Sequence, residues 1–223
     1  MKKNSQIVIA IDGPAGAGKS TIAKKLAQML GISYLDTGAM YRALTLKALR
    51  NKINLEDEDA LAALAKKTTL DFFGDSQTGL KIILDGEDVS EAIRSWEVTN
   101  NTFYIARAPK VREILVEWQR KIGQKMSVVA EGRDIGTEVF PQATKKFYLD
   151  ADFEERVRRR KKELEEKGQK VDFETLKKEL HERDQKDFTR KVGPLKKSPD
   201  AIVVDSTRLR VEETVKKMQE YLK

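Results

Sequence analysis

Near the start of the chain, Gly13-Pro14-Ala15-Gly16-Ala17-Gly18-Lys19-Ser20 sets glycines, a lysine and a hydroxyl in the spacing G-x-x-x-x-G-K-[ST]. The glycines let the backbone curl so that successive N–H groups point at phosphate oxygens. A helix opening directly behind the loop adds its partial positive charge. Lys19 is then placed to reach the β- and γ-phosphates of a nucleotide, and the Ser20 hydroxyl to ligate Mg²⁺. The run from Gly13 to Thr21 is read as ATP-binding, with Lys19 as its catalytic member and Ser20 as the metal ligand. The loop alone leaves a kinase, a GTPase and a motor ATPase open.

A kinase also needs a second anion site, because the acceptor phosphate must be neutralised. Arginine suits this, with its fixed charge and forked donors. Arg42 ends the run Asp36-Thr37-Gly38-Ala39-Met40-Tyr41-Arg42, one helical turn beyond Gly38, after a predicted strand and near the carboxyl ends where ligands of such folds bind. The alternative is an exposed surface arginine. Ala130-Glu131-Gly132-Arg133-Asp134-Ile135-Gly136 follows a core strand directly, where charged residues are costly as packing and read better as a site. Arg183, Asp187 and Arg190 stand at i, i+4 and i+7, and Arg156, Arg159 and Arg160 at i, i+3 and i+4, so each set shares a helical face. Such faces are usually just solvated, yet an arginine-bearing lid is a standard way to exclude water from phosphoryl transfer; spacing leaves both readings open. Asp12 and Glu131 are carboxylates at strand ends that act on a metal through water, or, for Asp12, hydrogen-bond the loop backbone.

These groups need a frame. Ile7 to Ile11 is an apolar, β-branched run that reads as a buried parallel strand. A helix from Lys19 to Leu30 follows the loop and stops at Gly31. Ile32 to Leu35 is a second strand, and Thr37 caps a helix to about Leu49. Thr68 to Phe73 and Leu80 to Leu84 read as strands separated by Gly74 to Gly79 and followed by Asp85-Gly86, a local antiparallel meander. Residues 61–108 are therefore read as an inserted subdomain within a core of 1–60 and 109–223. Pro109 opens a helix to about Ile122. Ser127 to Ala130 and Lys146 to Leu149 are core strands. Asp152 with Glu155 resembles a capping box opening a charged helix to about Lys167, before Gly168. A second charged helix spans Phe173 to Asp187, a last strand Ala201 to Val204 and a last helix Val211 to Leu222. Alternating strands and helices imply an α/β fold of P-loop NTPase type, with a mainly parallel sheet and helices on both faces.

With 39% hydrophobic and 35% charged residues among 223, the composition is that of a globular chain with a charged surface. There are no cysteines for disulfides or thiolate metal sites, and the single histidine, His181, builds no multi-histidine centre. No run of about 18 apolar residues is present, and the apolar run behind the N-terminus is too short for a signal peptide. A cytoplasmic protein with no membrane partner is expected. The net charge of +7 fits nucleic acid, a small anionic substrate or plain solvation, and does not choose among them.

Taken in order, Ile11-Asp12-Gly13 through Ser20, Tyr34-Leu35-Asp36 through Arg42, Glu131-Gly132-Arg133-Asp134-Ile135-Gly136-Thr137, and Glu182-Arg183-Asp184 through Asp187 and Arg190 to Pro194-Leu195 resemble bacterial cytidylate kinases over almost the whole chain. The resemblance implies ATP-dependent phosphorylation of CMP and dCMP with Mg²⁺, by a monomer that uses no nucleic acid. It implies that Thr37, Arg42 and Arg133 hold the acceptor end, the arginines on its phosphate. Arg112 and Asp134 would address the cytosine edge, Arg183 and Asp187 the ribose, and Arg190 the phosphates or base. Arg159 and Arg160 would be catalytic members of a lid, about 156–195, closing over ATP. The 61–108 segment would be the family's monophosphate-binding insert. One position departs: a serine is frequent six residues before the proline that opens the Arg112 helix, and here Phe103 stands there with Thr102 beside it. The cytosine contact there falls to Thr102 or is missing.

Cytosine recognition also has a physical logic of its own. A fixed carboxylate such as Asp134 accepts from cytosine's exocyclic amine and repels the carbonyl that uracil carries there, worth roughly 1–3 kcal/mol per contact. The rival readings are a P-loop kinase of UMP, AMP or a small metabolite, and an RNA-associated P-loop NTPase; the Asn-Lys-x-Asp run of a GTPase is absent.

Overall fold

The computed structural model describes residues 6–73, 81–166 and 168–222. Strands β1 (Val8–Asp12), β2 (Ser33–Asp36), β6 (Val128–Gly132), β7 (Lys145–Asp150) and β8 (Ile202–Asp205) form one sheet in the order β2-β6-β1-β7-β8. Strands β3 (Leu70–Phe73), β4 (Lys81–Leu84) and β5 (Glu87–Asp88) form a second, antiparallel one. By contacts the chain divides into two compact units. One holds Ala27–Ala130 with the start of the chain to Val8; the other holds Ile9–Leu26 and Glu131–Lys223.

In the second unit, β1 pairs with β7 in parallel, Ile9 opposite Lys145 and Asp12 opposite Tyr148, and β7 pairs with β8, Phe147 opposite Ile202 and Asp150 opposite Asp205. This register ends β7 and β8 level and β1 two residues short of them, so the segments that follow the three strands share one edge. The Ser206 N–H donates to Asp150 O at 2.8 Å, and its hydroxyl to Asp150 O at 3.0 Å and to Ala17 O at 3.4 Å. The strands are apolar because both sheet faces are covered: Ile9, Ala10, Ile11, Phe147 and Leu149 are all buried. The unit also holds α1 (Lys19–Leu30) as far as Leu26, with α6 (Phe153–Glu166), α7 (Phe173–Thr189) and α8 (Val211–Glu220). Their bounds follow the predicted punctuation closely. The capping box at Asp152 is only half formed. Asp152 accepts from the Glu155 N–H, but its own N–H goes to Thr207 Oγ1, and the Glu155 carboxylate turns to Arg159 instead.

In the first unit, α2 (Thr37–Arg50) packs against the antiparallel sheet and against α4 (Trp96–Arg107), while α3 (Glu58–Lys66) packs on α5 (Pro109–Lys125). Buried Ala39 and Ala43 of α2 lie against Ile82, Leu84, Val89 and Ile93. Two expectations change here. The cap of α2 is Asp36, not Thr37: the Asp36 Oδ1 accepts from the Ala39 N–H at 2.8 Å, and Thr37 is already helical. The 61–108 segment is also more helical than its strand signals suggested, because Ser95 caps the whole of α4 through the Val98 N–H. The turn read over Gly74 to Gly79, Leu80 and Lys167 lie outside the described residues.

Candidate active site

In the second unit, the Gly13–Ser20 loop leaves β1 and enters α1. Gly13 adopts φ +153° and passes so close to β7 that a Cβ would stand 2.0 Å from Leu149 O. No side chain fits there, which is why the motif needs glycine at this position. Lys19 is buried and its Nζ donates to Pro14 O at 2.7 Å, so the lysine folds back across its own loop. The hydroxyl of exposed Ser20, at the start of α1, donates to Glu131 Oε1 at 2.6 Å. Thr21 follows on the exposed first turn.

The segment after β6 is held by Asp12. Its two carboxylate oxygens accept from the Ile135 and Gly136 N–H groups at 2.8 and 2.7 Å. The backbone it serves is thus that of the Glu131–Gly136 segment. Burial pushes the Asp12 carboxyl up to about 6, against those two hydrogen bonds, while Asp134 raises it further and Lys19 lowers it. Anchored in this way, Arg133 donates from Nε to Asp187 Oδ2 on α7 at 2.7 Å. Burial alone would lower the Arg133 pKa, but Asp187, Glu131 and Asp184 together outweigh it and hold the guanidinium more firmly charged than usual. Burial would likewise raise Asp187; Arg133, Arg183 and Arg190 together pull it below the ordinary carboxylate range. Arg190, the cap of α7, lies 3.5 Å from Asp134 and donates to Gly193 O at 2.6 Å. Lys19 feels the whole assembly. Burial lowers its pKa to about 7, helped by Arg133 and Arg183 and opposed by Glu131 and Asp187. Two arginines and two carboxylates thus act on a lysine whose main perturbation is its burial, and a polyanion beside it would favour the charged form.

The two predicted lid arginines are placed differently. Arg159 spends its donors on Glu155 Oε1, Ser206 Oγ and Ser206 O, and so ties α6 to the segment after β8. Arg160 turns to Glu163 on its own helix. Two side chains the sequence reading did not assign bear on the loop directly: Arg156 and Asp184 bind the Ala15 backbone. Asp184 lies inside the quoted Glu182-Arg183-Asp184 run, which was the available signal.

The first unit carries the other predicted residues. Thr37 is buried at the start of α2. Arg42 donates to Asp36 Oδ2 at 2.9 Å, one turn along the helix that Asp36 caps. Burial would raise the Asp36 carboxyl, but Arg42, the Ala39 N–H and Arg94 hold it below its ordinary value. Gly38 leaves the room this needs, since a Cβ would sit 3.0 Å from Arg42 Nη1. The buried Arg42 Nε has no hydrogen-bond partner among the described residues. A buried guanidinium donor left in this state is costly, and an anionic ligand would satisfy it. Arg112 of α5 is buried and donates to the Tyr41 hydroxyl at 3.1 Å, with its guanidinium 5.8 Å from the ring centre. Tyr41 is a positioning partner that sequence reading passed over. Thr102 donates back to Val98 O at 2.7 Å, while Phe103 packs edge-on to Tyr104 with Arg107 over both rings.

The family model described as cytidylate kinase matches residues 9–223. A cytidylate kinase of Caldanaerobacter subterraneus is 50% identical over 220 residues, covering 99% of this chain and 96% of that protein. One from Desulforamulus reducens is 52% identical over 207 residues, covering 93% and 92%. Among solved structures, an uncharacterized protein from Eubacterium ventriosum shares the fold with a TM-score of 0.54 at 15% identity, over 97% of this chain and 98% of that one.

Proposed function

This chain belongs to the cytidylate kinase family and phosphorylates CMP and dCMP with ATP as donor; from that premise we propose which of its residues hold each substrate. The Gly13–Thr21 run takes the ATP phosphates, with Lys19 on the transferred group. Thr37, Arg42 and Arg133 take the acceptor phosphate, Arg112 and Asp134 the cytosine edge, and Arg183, Asp187 and Arg190 the remaining polar groups of the nucleotide. The observation that carries the donor assignment is the loop itself, a glycine turn too close to Leu149 O at Gly13 for any side chain, with buried Lys19 folded across it onto Pro14 O. The orphaned Arg42 Nε supports the acceptor assignment.

The acceptor phosphate is anionic near neutral pH, so the reaction needs no strong general base. What lowers the barrier is positioning and charge neutralisation. Arg133, kept charged by Asp187, is suited to that work because its guanidinium is already oriented. Arg159, fixed to Glu155 and Ser206, is preorganised on the donor side, and with Arg160 it belongs to the lid segment 156–195. The 61–108 segment serves monophosphate binding.

Ser20 and Glu131 present a hydroxyl and a carboxylate 2.6 Å apart, a hard-oxygen pair that fits Mg²⁺. No group of three or more His, Cys, Asp or Glu among the described residues forms a cage. That suits an ion held by one or two side chains and completed by substrate phosphates. When bound, the ion would neutralise charge on the ATP phosphates. No helix among the described residues is long and apolar enough to cross a membrane, and the reading is completed by a monomer acting in the cytoplasm on small molecules alone. The test is turnover across CMP, dCMP, UMP and AMP for the wild type and Lys19→Ala. Turnover should favour the cytidine nucleotides and fall by orders of magnitude in the variant, with its melting curve unchanged; wild-type turnover in Lys19→Ala would remove the loop from the chemistry.

A further inference from the structure

Both backbone polar groups of Ala15 are taken by ionised side chains. Its N–H donates to Asp184 Oδ1 at 3.2 Å, and its C=O accepts from Arg156 Nη1 at 2.9 Å. The two side chains also close on each other, Arg156 Nη1 to Asp184 Oδ2 at 2.5 Å, and each is less than a tenth exposed. Arg156 is held in turn, its Nε donating to Ala151 O at 3.1 Å. The loop rests directly on this clasp. Gly16 adopts φ +76°, and a Cβ there would stand 3.0 Å from Arg156 O.

A buried ion pair repays its desolvation only when further hydrogen bonds complete it. Here one completing bond goes to Ala151 O and two go to the phosphate loop, to the peptide groups on either side of Ala15. The Ala15 N–H is withdrawn from the anion cradle, because it points at a carboxylate, and the cradle is left to the amides beyond it. A loop that stabilises charge with fixed backbone dipoles gains from having its shape set before the ligand arrives. We propose that Arg156 and Asp184 are positioning residues: a buried ion pair that locks the backbone on both sides of Ala15, and with it the shape of the phosphate loop, for the donor triphosphate. The proposal rests on the assignment of this loop to ATP.

The experiment compares Asp184→Asn, the neutral double variant Arg156→Met/Asp184→Asn, and Lys19→Ala. Initial rates are taken against ATP at saturating CMP, and against CMP at saturating ATP. Asp184→Asn keeps an acceptor for Ala15 but strips Arg156 of its counter-charge. The double variant removes both buried charges, which commonly restores stability, yet leaves Ala15 O without its donor. A pair that served stability alone would be repaired by the double variant. The proposal expects a cooperative melt for the double variant and an ATP KM raised about tenfold or more in both, equivalent to about 1.4 kcal/mol, with the CMP KM rising less than about threefold. It is overturned if the rise in ATP KM exceeds the rise in CMP KM by less than about threefold in both variants, or if the double variant does not fold, since the pair is then a folding element. Wild-type ATP use by Lys19→Ala would sink the donor assignment itself; an impaired Lys19→Ala beside a normal double variant sinks only the clasp.

Discussion

At pH 8 the ligand-free protein should take up nearly one proton on binding ATP, and the proton should go to Lys19. Burial is the main reason this ammonium titrates at about 7, with Arg133 adding to the fall. A group with that pKa is about half charged at pH 7 and about one-tenth charged at pH 8. A triphosphate beside it favours the charged form, so binding draws the lysine back to ammonium. Expected uptake is near zero at pH 6, about 0.5 proton at pH 7 and about 0.9 at pH 8. ATP affinity should then weaken by up to about tenfold, or about 1.4 kcal/mol, per pH unit above 7. Isothermal titration of magnesium-saturated ATP, in buffers of different ionisation enthalpy at each pH, reads the proton count directly. Lys19→Ala subtracts the nucleotide's own titration. No uptake at pH 8 in the wild type, or equal uptake in the variant, would refute the reasoning. The same shift has a stability counterpart of definite sign. The folded pKa lies below the ordinary 10.5, so the unfolded chain holds more protons between pH 7 and 10.5, and the Lys19 contribution to ligand-free stability improves as pH rises through that window. Asp12 acts oppositely between its ordinary 3.8 and about 6: the native state holds the extra proton, and this group's contribution falls as pH rises there.

Gly13→Ala should cost more than tenfold in ATP affinity, because its Cβ meets Leu149 O and either the loop or β7 must move; nucleotide titration of the purified variant checks it. Arg133→Ala should raise the CMP KM and, by removing the 2.7 Å partner of Asp187 while Arg183 and Arg190 still act on it, lower stability by about 1–3 kcal/mol; steady-state kinetics and urea melts read the two effects separately. Asp134→Asn should reduce the preference for CMP over UMP by about 10–100-fold, the equivalent of one discriminating contact, measured as the ratio of kcat/KM values.

The parts of this fold that could be read in advance are those whose cause is local. The β1–loop–α1 unit is written in a β-branched run, a glycine turn and a helical pattern ended by Gly31, and α1 spans Lys19–Leu30 as the periodicity implies. The strand signals of β3 and β4 were equally plain. Helix α4 was not, because Phe103, Tyr104 and the Thr and Asn residues near them are indifferent helix formers, and what commits them is the Ser95 cap. Thr37 and Asp36 are both good capping types; the choice of Asp36 depended on where β2 ends and on Arg42 being there to share the carboxylate.

The same division holds for the site. The order of residues along the chain by itself determined the phosphate loop, its lysine and hydroxyl, and the family to which they belong, because those depend on residue type at fixed spacing. Only the tertiary structure decided which charges meet: Ser20 with Glu131, Arg133 with Asp187, Asp12 with the Ile135 and Gly136 amides, and Arg156 with Asp184 around Ala15. Helical spacing showed that Arg156, Arg159 and Arg160 share a face, but a charged face looks the same whether it meets water or a buried carboxylate. The partner comes from elsewhere in the chain, and no local pattern contains the distance between them.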